Sequence, residues 1–398
     1  MPPAADNSDA VPAIVTLGPN VPRHARIDIP AAVRDALSHL GQPDSLTVLV
    51  NDPQRHTASR EVLAELCRHV EGKGIRLLVA TGTHRFPREV KSAFERSLAD
   101  GLGVPRIAWH DCASRKLLPV GGRWRGHPWL VEKPAVLAIG SVEPHYFAGF
   151  TGAHKTATIG CASRADIEAN HALALEGASR PACLDGNPVH DAIVKMLAAL
   201  SSVQRVAAVN LVQAGERLLW AFGGEAILTL RAAAERAAET FICRIGVPAD
   251  ALVLDVSGPL GRSFYQADKG VKNNEHAVCD GGCLVLVADC RDGIGQDAFT
   301  VLLRSAPTHE TAMLAVRRRG YRLGDHKAVR LRRLMDPKGR NVRLFVVSEG
   351  LSARQCALLG AHKAPTVRAA LAAAGIDLAR GRIYRVADAG NVCTRVGE

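Results

Sequence analysis

The sequence predicts an α/β fold of two domains, each a mostly parallel sheet flanked by helices. Three observations carry this. Short apolar runs recur, each ending in a turn and followed by helical periodicity. The alternation runs through the first half of the chain and starts again in the second. With 398 residues, the chain is long enough for two domains.

In the first half, Leu46 to Val50 reads as a buried strand ending at Asn51-Asp52-Pro53. Ile75 to Ala80 ends at Thr81-Gly82-Thr83-His84, and Ala135 to Ile139 ends at Gly140-Ser141. Val206 to Val209 is a fourth candidate. Helices are expected over Ser59 to Glu71, Pro87 to Leu98 and Glu225 to Cys243. A boundary near Gly246-Val247-Pro248 separates domain 1–246 from domain 247–398, with the last residues packing back on the first domain. The second alternation comprises strands Ala251 to Val256, Cys283 to Ala288, Val342 to Val347 and Ile383 to Val386. Its helices are Ala298 to Ser305, Thr308 to Arg319 and Val367 to Ala374. Parallel sheets of this kind bind ligands beyond the carboxyl ends of their strands. Asp52, Arg55, His84 and His145 all follow such ends, and the expected site is the interdomain cleft.

Composition excludes several classes. Hydrophobic residues at 47% and charged residues at 22% rule out a disordered chain. No apolar stretch reaches the roughly 20 residues of a membrane span. The start, Met-Pro-Pro-Ala-Ala-Asp-Asn-Ser-Asp-Ala, has no basic region followed by an apolar one, so no secretory signal is expected. None of the ten cysteines forms Cys-x-x-Cys. Reduced, mostly buried thiols in a cytoplasmic protein are expected. The net charge of +11 favours anionic ligands. The basic runs Arg317-Arg318-Arg319 and Arg330 to Arg333 lack interleaved aromatics and read as exposed helix faces rather than nucleic-acid contacts.

The chemistry concentrates between Pro144 and His171. His145 and Lys155 sit beside Gly149, Gly152 and Gly160, and His171 closes a plausible helix. Backbone N–H groups near those glycines suit a phosphate, although no P-loop is present. Two strand-end histidines, His84 and His145, suit alternating acid and base roles. A lone histidine in a loop or helix is more often structural, so only the grouping lifts these. Lys155 is either a surface or phosphate-contacting lysine, or an amine held as anchor or nucleophile. A neutral His171 imidazole is a good ligand for nickel, zinc or copper, but the remaining ligands of a protein-only site are missing. In the second half, Tyr265, Gln266 and Lys269 group a phenol, an amide and an ammonium suited to a carboxylate, and Arg55 can add a bidentate contact.

Taken in order, these elements resemble the nickel-dependent lactate racemase family over nearly the whole chain. They are Asp52-x-x-Arg55, Thr-Gly-Thr-His84-Arg, Pro-His145-x-x-Ala-Gly-Phe-x-Gly152-x-x-Lys155, His171, Gly186-Asn187-Pro188 and Tyr265-Gln266-x-x-Lys269. The resemblance implies a racemase or epimerase of 2-hydroxy acids, working by proton-coupled hydride transfer to a nickel pincer nucleotide through a 2-keto acid. It implies that Lys155 carries the nucleotide and His171 ligates nickel, with Gly152 and Tyr265 lining the cofactor. His84 and His145 would be the acid/base pair. Arg55, Gln266 and Lys269 would hold the substrate, and Asp52 would support them. Its partners would be the small substrate and cofactor-synthesis enzymes, with no nucleic acid or membrane. The sequence departs from the family pattern at Gln54, at Ala153-His154 before the anchor, and at Ile159-Gly160. A nicotinamide-dependent dehydrogenase is the rival enzyme, but no Gly-x-Gly-x-x-Gly follows a strand; Gly293-x-Gly295 is too little. An anion- or nucleic-acid-binding protein is the non-enzymatic rival; it predicts steep salt dependence.

Overall fold

The computed structural model describes residues 14–23, 27–132 and 135–397. The amino-terminal decapeptide lies outside them. Contacts divide the chain into two compact units: Asn20–Thr240, and the segment ending at Pro19 together with everything from Phe241 onward.

The Asn20–Thr240 unit is built on a six-stranded sheet. Its strand order is Arg217–Gly224, Val206–Ala214, Ala135–Ser141, Leu46–Asn51, Ile75–Ala80, Arg106–Trp109. All neighbours are parallel except the first two, which form an antiparallel hairpin. The central strands are apolar along their length and buried on both faces, as a helix-covered parallel sheet requires. Register brings their ends level: Asn51 pairs with Ala80, and Asn210 with Gly140. The turns after them therefore emerge along one edge. Helices Ile29–His39, Ser59–Leu66 and Arg88–Ala99 supply covering side chains such as Val33, Leu37, Leu63 and Leu66. The second helix is shorter than expected, because the chain leaves it at Cys67 and makes a 3-10 turn at Gly72–Gly74.

The other unit holds a six-stranded, all-parallel sheet. Its order is Val15–Leu17, Ile383–Val386, Ala249–Asp255, Val278–Val287, Arg343–Val347, His362–Lys363. Its first strand comes from before the Asn20–Thr240 unit, a pairing that local periodicity cannot announce. Ile242–Ile245 pairs with Cys393–Val396, so the end of the chain is fastened inside this same unit. Helix Asp325–Met335 corrects one expectation. The Arg330–Arg333 run does not form an exposed face: Arg330 and Arg332 are buried. Arg330 pairs with Glu275 at 3.2 Å, and Arg332 donates to the carbonyls of Leu303, Ala306, Leu358 and Leu359. A guanidinium carries five donors, so it can satisfy several orphan helix-end carbonyls at once. Arg317, Arg318 and Arg319 are exposed as expected. All ten cysteines are free thiols, six of them buried. No helix among the described residues is long and apolar enough to cross a membrane.

Candidate active site

Six of the sequence-selected residues gather at the strand-end edge of the Asn20–Thr240 unit. The turn after Leu46–Asn51 presents Asp52. One carboxylate oxygen accepts the Gln54 N–H at 2.9 Å, and the other contacts His84 Nδ1 at 2.8 Å. A carboxylate only accepts, so Nδ1 donates and Nε2 is left to exchange a proton. The Asp52 side chain is 6% exposed and that of His84 is 36% exposed, an inner orienter and an outer, reachable imidazole. The turn bearing His84 is pinned by His84 N–H to the Thr81 carbonyl and by Gly82 N–H to the Gly160 carbonyl, both 2.9 Å.

The turn after Ala135–Ser141 presents Glu143 and His145. Glu143 forms an ion pair with Arg55. His145 is buried; its Nδ1 accepts the Ala148 N–H at 3.3 Å, and its Nε2 lies 3.1 Å from Lys155 Nζ. Lys155 sits on the short helix Ala153–Ala157. Burial chiefly, with Arg55 adding to it against Glu143, lowers its amine pKa to about 7. Near neutrality much of this amine is uncharged and nucleophilic. His171, on helix Arg164–Ala172, has its pKa lowered to about 3 by burial first and Lys155 second. Its imidazole is neutral at any working pH, the form that ligates metals.

Phe147 is the hub that sequence reasoning passed over. Its ring centroid is 4.5 Å from that of His145 and 5.0 Å from that of His171, and Lys155 Nζ lies 5.7 Å from it. Asn187 explains the Gly186-Asn187-Pro188 element. Its side-chain oxygen caps helix Pro188–Ser201 through the N–H groups of Val189 and His190, while its amide donates to the Phe147 carbonyl at 3.0 Å. Asn210 fixes the Lys155 helix by accepting the Ala153 N–H at 2.8 Å. Two glycines are there for close packing. At Gly149 (φ 77°) a Cβ would lie 2.2 Å from the Cys183 carbonyl oxygen, and at Gly152 (φ 150°) it would lie 2.9 Å from Asn210 Oδ1. His154 turns away from solvent entirely. It packs on His190 with ring centroids 5.4 Å apart, and burial holds it neutral. An Asn in a helix-start motif was a legible capping signal, but Phe147 offered no signal beyond its place between two histidines.

Tyr265, Gln266 and Lys269 lie in the other unit, on helix Phe264–Asn274. Tyr265 is buried, its N–H bonded to the Ile294 carbonyl at 2.8 Å and its own carbonyl to Lys327 Nζ at 2.7 Å. The helical spacing places Tyr265 and Lys269 on one face.

Matches to two family models cover more than half of the chain. The lactate racemase N-terminal domain matches residues 25–181 and the lactate racemase C-terminal domain matches residues 246–376. The chain belongs to the lactate racemase family. It is 28% identical over 293 residues to the lactate racemase of Thermoanaerobacterium thermosaccharolyticum, covering 69% of this chain and 67% of that protein. It is 29% identical over 272 residues to the lactate racemase of Lactiplantibacillus plantarum, covering 64% of this chain and 62% of that one. In fold, it resembles the solved lactate racemase apoprotein of T. thermosaccharolyticum, with a TM-score of 0.81 at 22% identity over 96% and 94% of the two chains. It also resembles a protein from Thermotoga maritima, with a TM-score of 0.72 at 15% identity over 92% and 97%. The matches bear out the expected family and the expected α/β class of mostly parallel sheets flanked by helices.

The donor set bears on the cofactor that the family resemblance implies. Among the described residues, no three His, Cys, Asp or Glu side chains are placed to hold a metal ion. A bare ion therefore has no protein cage among the described residues. A neutral imidazole beside a nucleophilic amine fits a metal that arrives already chelated in an organic group. Such a group takes one protein ligand and one tether, and these residues fit it.

Proposed function

We propose that this chain is a racemase or epimerase of a small 2-hydroxy acid of the lactate type, working with a nickel pincer nucleotide. The observation that carries the reading is the convergence of His145, Lys155 and His171 on Phe147, at the sheet edge that also presents a His84 oriented by Asp52. In this reading Lys155 tethers the nucleotide and His171 ligates its nickel. The bound group supplies hydride-accepting chemistry that protein side chains lack.

The chain's own residues do the rest. Arg55 holds the substrate carboxylate. Gly152 lines the cofactor. One of His84 and His145 takes the hydroxyl proton, and the other returns a proton to the oxygen of the planar 2-keto acid once its opposite face is presented. Two bases suit a reaction that starts from either enantiomer. Consuming the Lys155 lone pair in a tether frees His145 Nε2 from its contact with that amine.

The test is interconversion of D- and L-lactate by protein made together with cofactor-synthesis enzymes, with intact mass and nickel content measured on the same sample. A mass adduct at Lys155, one nickel and racemisation are expected. His171→Ala should lose the nickel while keeping the fold. A loaded wild-type protein that leaves a panel of 2-hydroxy acids unchanged would overturn the reading.

A further inference from the structure

Glu143 carries no role in the reading above, yet it holds the group that the substrate needs. Its backbone is locked in place. Its N–H donates to Thr151 Oγ1 at 3.0 Å, its carbonyl accepts the Thr151 N–H at 2.9 Å, and Thr151 Oγ1 donates to the Ser141 carbonyl at 2.7 Å. From this fixed turn its carboxylate reaches Arg55, 88 positions earlier in the chain. The side chains are 15% exposed for Glu143 and 29% for Arg55, so the pair is sheltered but not sealed. Lys155 feels both charges, the guanidinium lowering its pKa and the carboxylate raising it. Three groups thus share one electrostatic neighbourhood.

An ion pair of this exposure is exchangeable. Solvent reaches both side chains, so a substrate carboxylate of similar geometry can contend with Glu143 for the guanidinium. A fully buried pair would resist exchange, because separating it strands a desolvated charge.

We propose that Glu143 is an internal competitor for Arg55, a carboxylate that occupies the guanidinium until a substrate carboxylate displaces it, and so sets both affinity and selectivity for anionic substrates. The inference rests on Arg55 being the substrate-carboxylate contact. A neutral amide cannot displace Glu143, because it offers the guanidinium no charge in exchange. Substrate affinity is thereby held weaker than an unoccupied Arg55 would give.

The experiment uses the full chain without cofactor, titrated calorimetrically with L-lactate and with lactamide. Glu143→Gln keeps the side-chain shape and removes the charge. It should bind lactate about fivefold more tightly, the upper range for a partly exposed pair, and leave lactamide unchanged. Arg55→Ala combined with Glu143→Gln should lose that gain. Glu143→Asp, a shorter acid that loosens the pair, should fall between wild type and the Gln variant, and it serves if the Gln variant misfolds. Equal or weaker lactate binding in the Glu143 variants, or a gain that survives loss of Arg55, would overturn the competitor role. Undiminished lactate binding by Arg55→Ala alone would remove the carboxylate role of Arg55 and the inference with it.

Discussion

The two units handle buried charge in opposite ways. In the Asn20–Thr240 unit, titratable groups gather at the strand-end edge of the sheet, Lys155 and His171 on helices and His84 in a turn. Lys155 is shifted to about 7, His171 to about 3, and His84 is half exposed. In the other unit, charges neutralise one another inside the structure. Glu275 is held between Lys272 at 3.1 Å and Arg330 at 3.2 Å, and Lys327 lies 3.4 Å from Asp268. Burial alone would raise the Glu275 pKa; Lys272 and Arg330 overcome it and bring it to about 2. One unit gathers its perturbed groups around Phe147, while the other consumes charge in ion pairs. Perturbed ionisation therefore marks function in one unit and a structural ion-pair network in the other.

The sharpest way to break this comparison is at the histidines. His84→Ala or His145→Ala should cut racemisation by about 10²- to 10⁴-fold with circular dichroism unchanged, since proton transfer and not folding is lost. Full turnover by either variant would remove it from the acid/base pair. On the pairing side, Glu275→Ala should cost about 3–5 kcal/mol in urea unfolding, because it strands two buried cations. Wild-type stability in that variant would mean the network is dispensable. The sign of the pH response follows from the depressed carboxylate. The contribution of Glu275 is fully present above its ordinary pKa and is lost as pH falls through about 2, so acid unfolding should be blunted in the Glu275→Ala protein.

Smaller effects sharpen the other side. Asn187→Ala should cost about 1–2 kcal/mol through the lost cap, and the freed Phe147 carbonyl should lower racemisation as well. Stability loss with unchanged turnover would restrict Asn187 to capping. Lys155, with its amine near 7, should be acylated by a small activated ester with a midpoint near pH 7, read by peptide mass mapping. A midpoint near the ordinary lysine value would show that burial does not perturb it.

Much of this was legible in the sequence. The core strands are predominantly apolar runs; Ile75–Ala80 and Ile383–Val386 coincide with the reading to the residue. Strand-end chemistry was legible because the parallel topology dictates where turns converge. Three things were not. Val15–Leu17 pairs across more than 300 positions, where local patterning is silent. The Arg330–Arg333 run reads as surface unless one knows that Glu275 and four helix-end carbonyls await it. Glu143 acts through a side chain 88 positions away, and Phe147 acts through ring contacts that its residue type does not announce.

The strand Val15–Leu17 has a consequence for biosynthesis. It must wait, unpaired, while the whole Asn20–Thr240 unit emerges from the ribosome and folds, because its partner Ile383–Val386 is made far later. The inserted unit is thus completed first, and its host sheet closes around an early edge segment by a late, long-range step. A ribosome stalled before Ile383 should display a protease-resistant Asn20–Thr240 core attached to a nascent partner whose sheet is still open.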